Sequence, residues 1–199
     1  RRVGLNAAVV LSRDDRRVFQ GNLLTVYLMG ARVTFAHTDE HWDLERHAHA
    51  LCDALRADGE TPYYIPVSGS TPLSCLGYVQ AGLELADQIA DAGLQPAAVY
   101  TPFGTGGIFA GTLSALRVRG IGCPVIGISV NRGTDRCRES LDTWWPAIGE
   151  LLDLDPARPR GPIEIHDRFV GRGYGDATEE CLDAILLMAE TEGILLDPV

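Results

Sequence analysis

Lysine is missing altogether from this 199-residue chain, so all 17 basic residues are arginine. A phosphate-binding loop that ends in Gly-Lys and the nucleotide-clamping lysine of protein kinases are therefore excluded, as is any reaction run by a lysine amine of this chain. Cysteine is sparse and unpatterned. Cys52, Cys75, Cys123, Cys137 and Cys181 form an odd set without a Cys-x-x-Cys pair, which argues against a disulfide framework and a zinc ribbon and predicts reduced, mostly buried thiols. Positive charge is also in deficit: the formal net charge is −10, and no arginine run interleaved with aromatics offsets it, so nucleic acid is not an expected partner. No apolar run approaches the ~18 residues of a membrane span. Arg1-Arg2-Val3-Gly4-Leu5 lacks the apolar core and cleavage site of a signal peptide, so the chain reads as cytoplasmic, with no membrane partner.

What is present is the composition of a globular protein, 46% apolar and 22% charged. Short β-branched or apolar runs alternate with longer amphipathic ones. Strands are predicted at Ala7 to Leu11, Arg32 to Ala36, Tyr63 to Val67, Ala97 to Thr101, Val125 to Val130 and Ile163 to Asp167, with another starting at Ile194 to Leu196. Helices are predicted at Asn22 to Met29, Glu40 to Ala57, Leu76 to Ala92, Gly107 to Arg119, Arg136 to Leu152 and Thr178 to Thr191. Gly59, Gly93 and Gly120 fall where helices stop, and Thr178 before Glu179 and Glu180 marks a helix start. Such alternation specifies an α/β fold of open parallel sheets covered by helices. The turn-forming stretch Pro66 to Pro72 suggests a division into residues 1–67 and 68–199, whereas Asp153 to Pro162 reads as an exposed loop because regular patterns resume on both sides.

The strongest chemical signal is Phe103-Gly104-Thr105-Gly106-Gly107-Ile108-Phe109-Ala110-Gly111, directly after a predicted strand and before a predicted helix. Glycines there let successive backbone N–H groups converge on an anion at the positive end of the helix, a phosphate cradle formed by Gly104, Thr105, Gly106, Gly107 and Ile108. The plain alternative is a tight turn with glycines for packing alone. A dinucleotide fingerprint fits poorly, because the third small residue would be Phe109 and the strand ending Ser129-Val130-Asn131 lacks the ribose-binding acid. His41, Glu45 and His49 would share one helix face at i, i+4 and i+8. A solvated face explains that spacing, and no metal site is predicted.

Taken in order, several segments resemble the fold-type II pyridoxal-phosphate family of D-cysteine desulfhydrase and aminocyclopropane-carboxylate deaminase. They are Gly21-Asn22-Leu23-Leu24 with Met29-Gly30-Ala31, Tyr64 to Ser70 running into Leu76-Gly77-Tyr78-Val79, the glycine turn, Val125 to Val130, Gly173-Tyr174-Gly175 with Thr178-Glu179-Glu180, and Thr191 to Val199. The ordered set spans nearly the whole chain.

The resemblance implies a tryptophan-synthase-β-like two-domain architecture, with part of a small domain at residues 1–67 and part of a large cofactor-binding domain at 68–199. It implies pyridoxal 5'-phosphate as cofactor, a small amino acid as substrate and a homodimer as a compatible assembly. Compared with the family, the chain looks like an internal fragment, expected to be inactive alone: the Schiff-base lysine and the Ser-Asn loop would precede it, and the tyrosine after Asp-Pro-Val would follow it. Tyr174 is the side chain the resemblance places at the chemistry, as a hydrogen-bond donor, nucleophile or base. Read by residue type alone, it is a packed turn aromatic. Ile108 stands where the family commonly has threonine, and Ser68 where glycine is usual. The details of Thr191 to Val199 and of Gly69-Ser70 look closer to the desulfhydrase branch. The deaminase, a cysteate sulfo-lyase and a non-catalytic phosphate-binding relative or truncated product are the alternatives.

Overall fold

The computed structural model describes residues 3–12, 21–38, 41–155 and 157–198, with backbone alone at His41 and Trp42. The chain divides into two compact units, Arg1–Gly69 and Ser70–Val199. The leading arginine pair, the predicted helix start at Glu40 and the side chain of His41 lie outside the described residues.

In the first unit β1 (Ala8–Leu11) and β2 (Arg32–Phe35) pair in parallel, Ala8 opposite Arg32 through Leu11 opposite Phe35. Between and after them come α1 (Gly21–Leu28) and α2 (His41–Ala57), the latter burying Cys52 and Leu55. Beyond α2 the chain turns through Gly59, whose φ of +82° is the left-handed conformation that glycine adopts without a Cβ penalty. The predicted strand at Tyr63 to Val67 does not form. Residues 63–66 have no regular structure and pair with no strand, Val67 opens a short 3-10 turn to Gly69, Tyr63 and Ile65 are 76% and 67% exposed, and Pro62 and Pro66 remove backbone donors that a ladder would need. Tyr64 rests instead on the His49 ring at 4.4 Å, where desolvation first, then the Glu45 charge, raises its hydroxyl pKa.

The second unit contains α3 (Pro72–Asp91), β3 (Val99–Phe103), α4 (Gly107–Val118), β4 (Val125–Ser129), α5 (Thr134–Leu151), β5 (Ile163–His166) and α6 (Glu179–Glu192). The three strands form a parallel sheet in the order β3-β4-β5. Helix α3 starts four residues ahead of the apolar pattern because its capping is complete at Thr71. The Thr71 hydroxyl accepts from the Ser74 N–H, the Ser74 hydroxyl accepts from the Thr71 N–H, and Pro72 occupies the first turn, where its missing donor costs nothing. Phe103, Phe109, Leu113, Leu116, Leu141, Trp145 and Ile148 form the core against α3, α4 and α5. Burying each such side chain stabilises by ~1.5–3 kcal/mol.

Strand register assigns the faces. Phe103 lies beside Ser129 and Thr101 beside Gly127, and a Cβ on Gly127 would stand within 3.0 Å of the Phe103 and Phe109 rings. That face belongs to α4 and α5, while Tyr100 on the other is 68% exposed. The predicted strand start at Ile194 to Leu196 is also not formed. Helix α6 stops at Gly193 with φ +67°, and the residues after it join no ladder. Among the described residues no helix is long and apolar enough to cross a membrane.

Candidate phosphate site and adjoining cavity

Strand β3 delivers the chain to Gly104 at the carboxyl end of the sheet, and α4 begins three residues later. The intervening Gly106 adopts φ +94° as the residue preceding the helix. Two constraints require glycine there: that φ disfavours any Cβ, and a Cβ would stand 3.0 Å from the Phe103 ring and 3.2 Å from Trp144 Cδ1. At Gly107 a Cβ would meet Cys75 Sγ at 3.2 Å and Ser70 Oγ at 3.4 Å. Burial raises the pKa of the Cys75 thiol, so it sits here as a neutral neighbour.

The first intrahelical bond runs from the Ala110 N–H to the Gly106 carbonyl at 2.9 Å. Helix geometry therefore leaves the N–H groups of Gly107, Ile108 and Phe109 without acceptors inside α4, at its positive end. Beside them the Ser70 and Thr105 hydroxyls share a hydrogen bond of 2.5 Å, and the Trp144 indole N–H donates to the Thr105 carbonyl at 2.8 Å. Backbone donors, two hydroxyls and a helix N-terminus suit a phosphate monoester. Ile108 adds a backbone N–H but no hydroxyl, and its side chain is half-buried.

A cavity of about 350 Å³ lies at the carboxyl ends of β3 and β4, lined among others by Pro102, Ile128, Val130, Phe169, Gly173 and Gly175, with none of Gly104 to Ile108 in its lining. Val130 links the two, since it lines the cavity and its Cγ2 would stand 3.6 Å from a Cβ on Gly104. Asp176 and Thr178 also line it. The Asp176 carboxylate holds Arg172 at 2.8 Å, and the Thr178 hydroxyl caps α6 by accepting from the Cys181 N–H at 3.2 Å. Tyr174 lies between the two lining glycines and is 67% exposed.

The structure therefore brings Gly104, Thr105, Gly106, Gly107 and Ile108 together at one helix end and puts Tyr174 on the loop bordering the cavity. Sequence reasoning missed Ser70 and Trp144. Ser70 read as a turn former and as part of a family-like segment but not as a phosphate neighbour, and Trp144 lies 39 residues from its hydrogen-bond partner, with no local pattern linking them. Among the described residues no cluster of three His, Cys, Asp or Glu is placed to hold a metal.

The sequence profile of the family described as "Pyridoxal-phosphate dependent enzyme" matches residues 1–199. A Pyrococcus abyssi protein named "Putative 1-aminocyclopropane-1-carboxylate deaminase" is 31% identical over 100% of this chain and 59% of its own length. A Serratia proteamaculans D-cysteine desulfhydrase is 30% identical over 100% of this chain and 60% of its own length. The chain thus spans about three-fifths of these relatives. A crystal structure of an ACC deaminase homologue superposes on 100% of this chain and 58% of its own with a TM-score of 0.85 at 28% identity. A bacterial threonine deaminase crystal structure, at 22% identity and a TM-score of 0.62, shares the fold over 98% of this chain and 62% of its own.

Proposed function

This chain belongs to the pyridoxal-phosphate dependent enzyme family, and we propose that it forms the phosphate-holding part of a lyase or deaminase of small amino acids. The observation that carries this reading is the glycine turn opening α4 beside a cavity. In it the N–H groups of Gly106, Gly107 and Ile108, with the Ser70 and Thr105 hydroxyls, hold the phosphate, and the cavity receives the ring and the amino acid. When bound, the cofactor supplies a ring that takes up the electron pair left as a bond at the substrate Cα breaks. Tyr174, on the loop at the cavity edge, holds or passes a proton at the reacting substrate through its phenol oxygen. The group that removes the Cα proton is not a lysine of this chain, which has none.

Within the family we place the chain on the D-cysteine desulfhydrase side, where D-cysteine and water yield pyruvate, hydrogen sulfide and ammonia. The forms of Thr191 to Val199 and of Gly69-Ser70 support that side over the aminocyclopropane-carboxylate deaminase and a cysteate sulfo-lyase. A cytoplasmic homodimer is the setting proposed for it. One observation favours a second reading, a non-catalytic phosphate-binding relative: the absence of lysine.

The phosphate site is tested by calorimetric titration of the 199-residue chain with pyridoxine 5'-phosphate and with pyridoxine, which carry no aldehyde to react with amines. The phosphate ester is expected to bind at least about tenfold more tightly, as charge-assisted hydrogen bonds to one anion would produce. Gly106→Val removes that preference and Ile108→Thr leaves it equal or greater, with near-UV circular dichroism reporting the fold of each. Equal affinities of the parent chain for the two ligands refute the phosphate site.

A further inference from the structure

We propose that Trp144 is the positioning residue of the phosphate turn: its indole N–H fixes the orientation of the Thr105-Gly106 peptide and thereby the turn's preference for an anion. The inference rests on the phosphate reading above and adds to it a residue on a different element, α5. The bond from Trp144 Nε1 to the Thr105 carbonyl measures 2.8 Å. The chain has no cis peptide among the described residues, and across a trans peptide the C=O and N–H point in opposite directions. With the Thr105 oxygen held toward the indole, the Gly106 N–H points away from it.

An external lock is needed because the residue that follows is glycine. Gly106 tolerates both signs of φ about equally, so no side chain of its own selects between the observed peptide orientation and the flipped one. In the flipped form the negative end of the carbonyl would replace the N–H on the side facing away from Trp144, and an anion there would be repelled. The indole edge also abuts the glycine closely, with Trp144 Cδ1 3.2 Å from where a Cβ would stand.

Trp144 is in turn held by its neighbour. Trp145 is 2% exposed, the Arg158 guanidinium lies 4.0 Å over its ring, and Arg158 Nη2 donates to its carbonyl at 3.2 Å. These contacts set the rotation of α5 and so aim the adjacent indole at the turn.

The test isolates the N–H. β-(3-Benzothienyl)alanine at position 144 keeps the bicyclic shape and replaces N–H by sulfur, whereas 7-azatryptophan keeps the N–H. For each form the dissociation constants of pyridoxine 5'-phosphate and pyridoxine are measured by calorimetry, with inorganic phosphate as competitor. The benzothienyl form is expected to lose about tenfold of the preference for the phosphate ester, as loss of one well-placed hydrogen bond to an anion-binding turn would produce. Pyridoxine affinity stays within about twofold, and 7-azatryptophan restores the preference. An unchanged preference in the benzothienyl form overturns the inference, as does equal weakening of both ligands, which would mark Trp144 as scaffold. A parent chain without any preference refutes the phosphate site itself, a distinct result read before any substitution. Trp144→Phe repeats the measurement with natural residues, and if that variant fails to fold, the isosteric analogue decides.

Discussion

Tyr174 and Gly106 show how differently single residues reveal themselves. Gly106 is confined twice over, by its φ of +94° and by the aromatic atoms that a Cβ would meet, and a cluster of glycines between a strand and a helix already announces such a place in the sequence. Tyr174 carries no such constraint: it is 67% exposed between two glycines, and its role rests on the loop it occupies. A chimera in which this segment replaces the matching stretch of the Serratia proteamaculans desulfhydrase tests that role. Tyr174→Phe should lower kcat/KM for D-cysteine by ~10²-fold or more, the scale of acid–base assistance, with cofactor affinity and thermal stability nearly unchanged. Near-normal turnover with reduced stability would instead make it a packing aromatic. Trp144 was illegible for a third reason. Its partner is a backbone carbonyl, which leaves no trace in residue type, and the contact spans two elements that only the folded sheet brings together.

At the scale of elements, the alternation of patterns gave the helices and five of the seven proposed strands, because periodicity records which side of a segment is buried. It cannot record whether a partner strand exists, and that is why Tyr63 to Val67 and Ile194 to Leu196 read as strands yet lie outside any ladder. Nor does it show how closely two helices approach. Helices α3 and α4 meet through Gly82 and Gly111, and a Cβ on Gly111 would stand 2.7 Å from Tyr78 Cβ, 2.8 Å from the Cys75 carbonyl oxygen and 3.0 Å from the Val79 nitrogen. Two of those atoms are backbone and cannot rotate aside. Gly111→Ala should therefore destabilise the chain by ~1–3 kcal/mol, as overpacking does, despite the better helix propensity of alanine. Gly77→Ala, also within α3, meets nothing within 4 Å and should stabilise by up to ~1 kcal/mol. Urea denaturation midpoints of the two variants should move in opposite directions. A shift of the same sign in both would contradict the helix contact described.

For the whole molecule the governing fact is the one visible first, 17 arginines and no lysine. On the proposed reading the glycine turn and the cavity would hold a phosphorylated ring by hydrogen bonds and packing alone, because no side chain of the 199-residue chain can bond covalently to an aldehyde through an amine. Retention would then be an equilibrium set by the turn. Mixed with pyridoxal 5'-phosphate and treated with borohydride, the purified chain should take up label at its α-amino group alone, at a stoichiometry no greater than about one, because that is its sole aliphatic amine. Without borohydride, gel filtration should strip the ligand, and adding inorganic phosphate should speed the loss by competing for the N–H groups of Gly107 and Ile108. Peptide mapping after cleavage at arginine checks the first expectation, and absorbance of the protein fraction checks the second. A reduced adduct on any interior residue would show a covalent anchor that the side chains of this chain do not provide, and ligand loss indifferent to phosphate would remove the turn at α4 as the place where the molecule holds it.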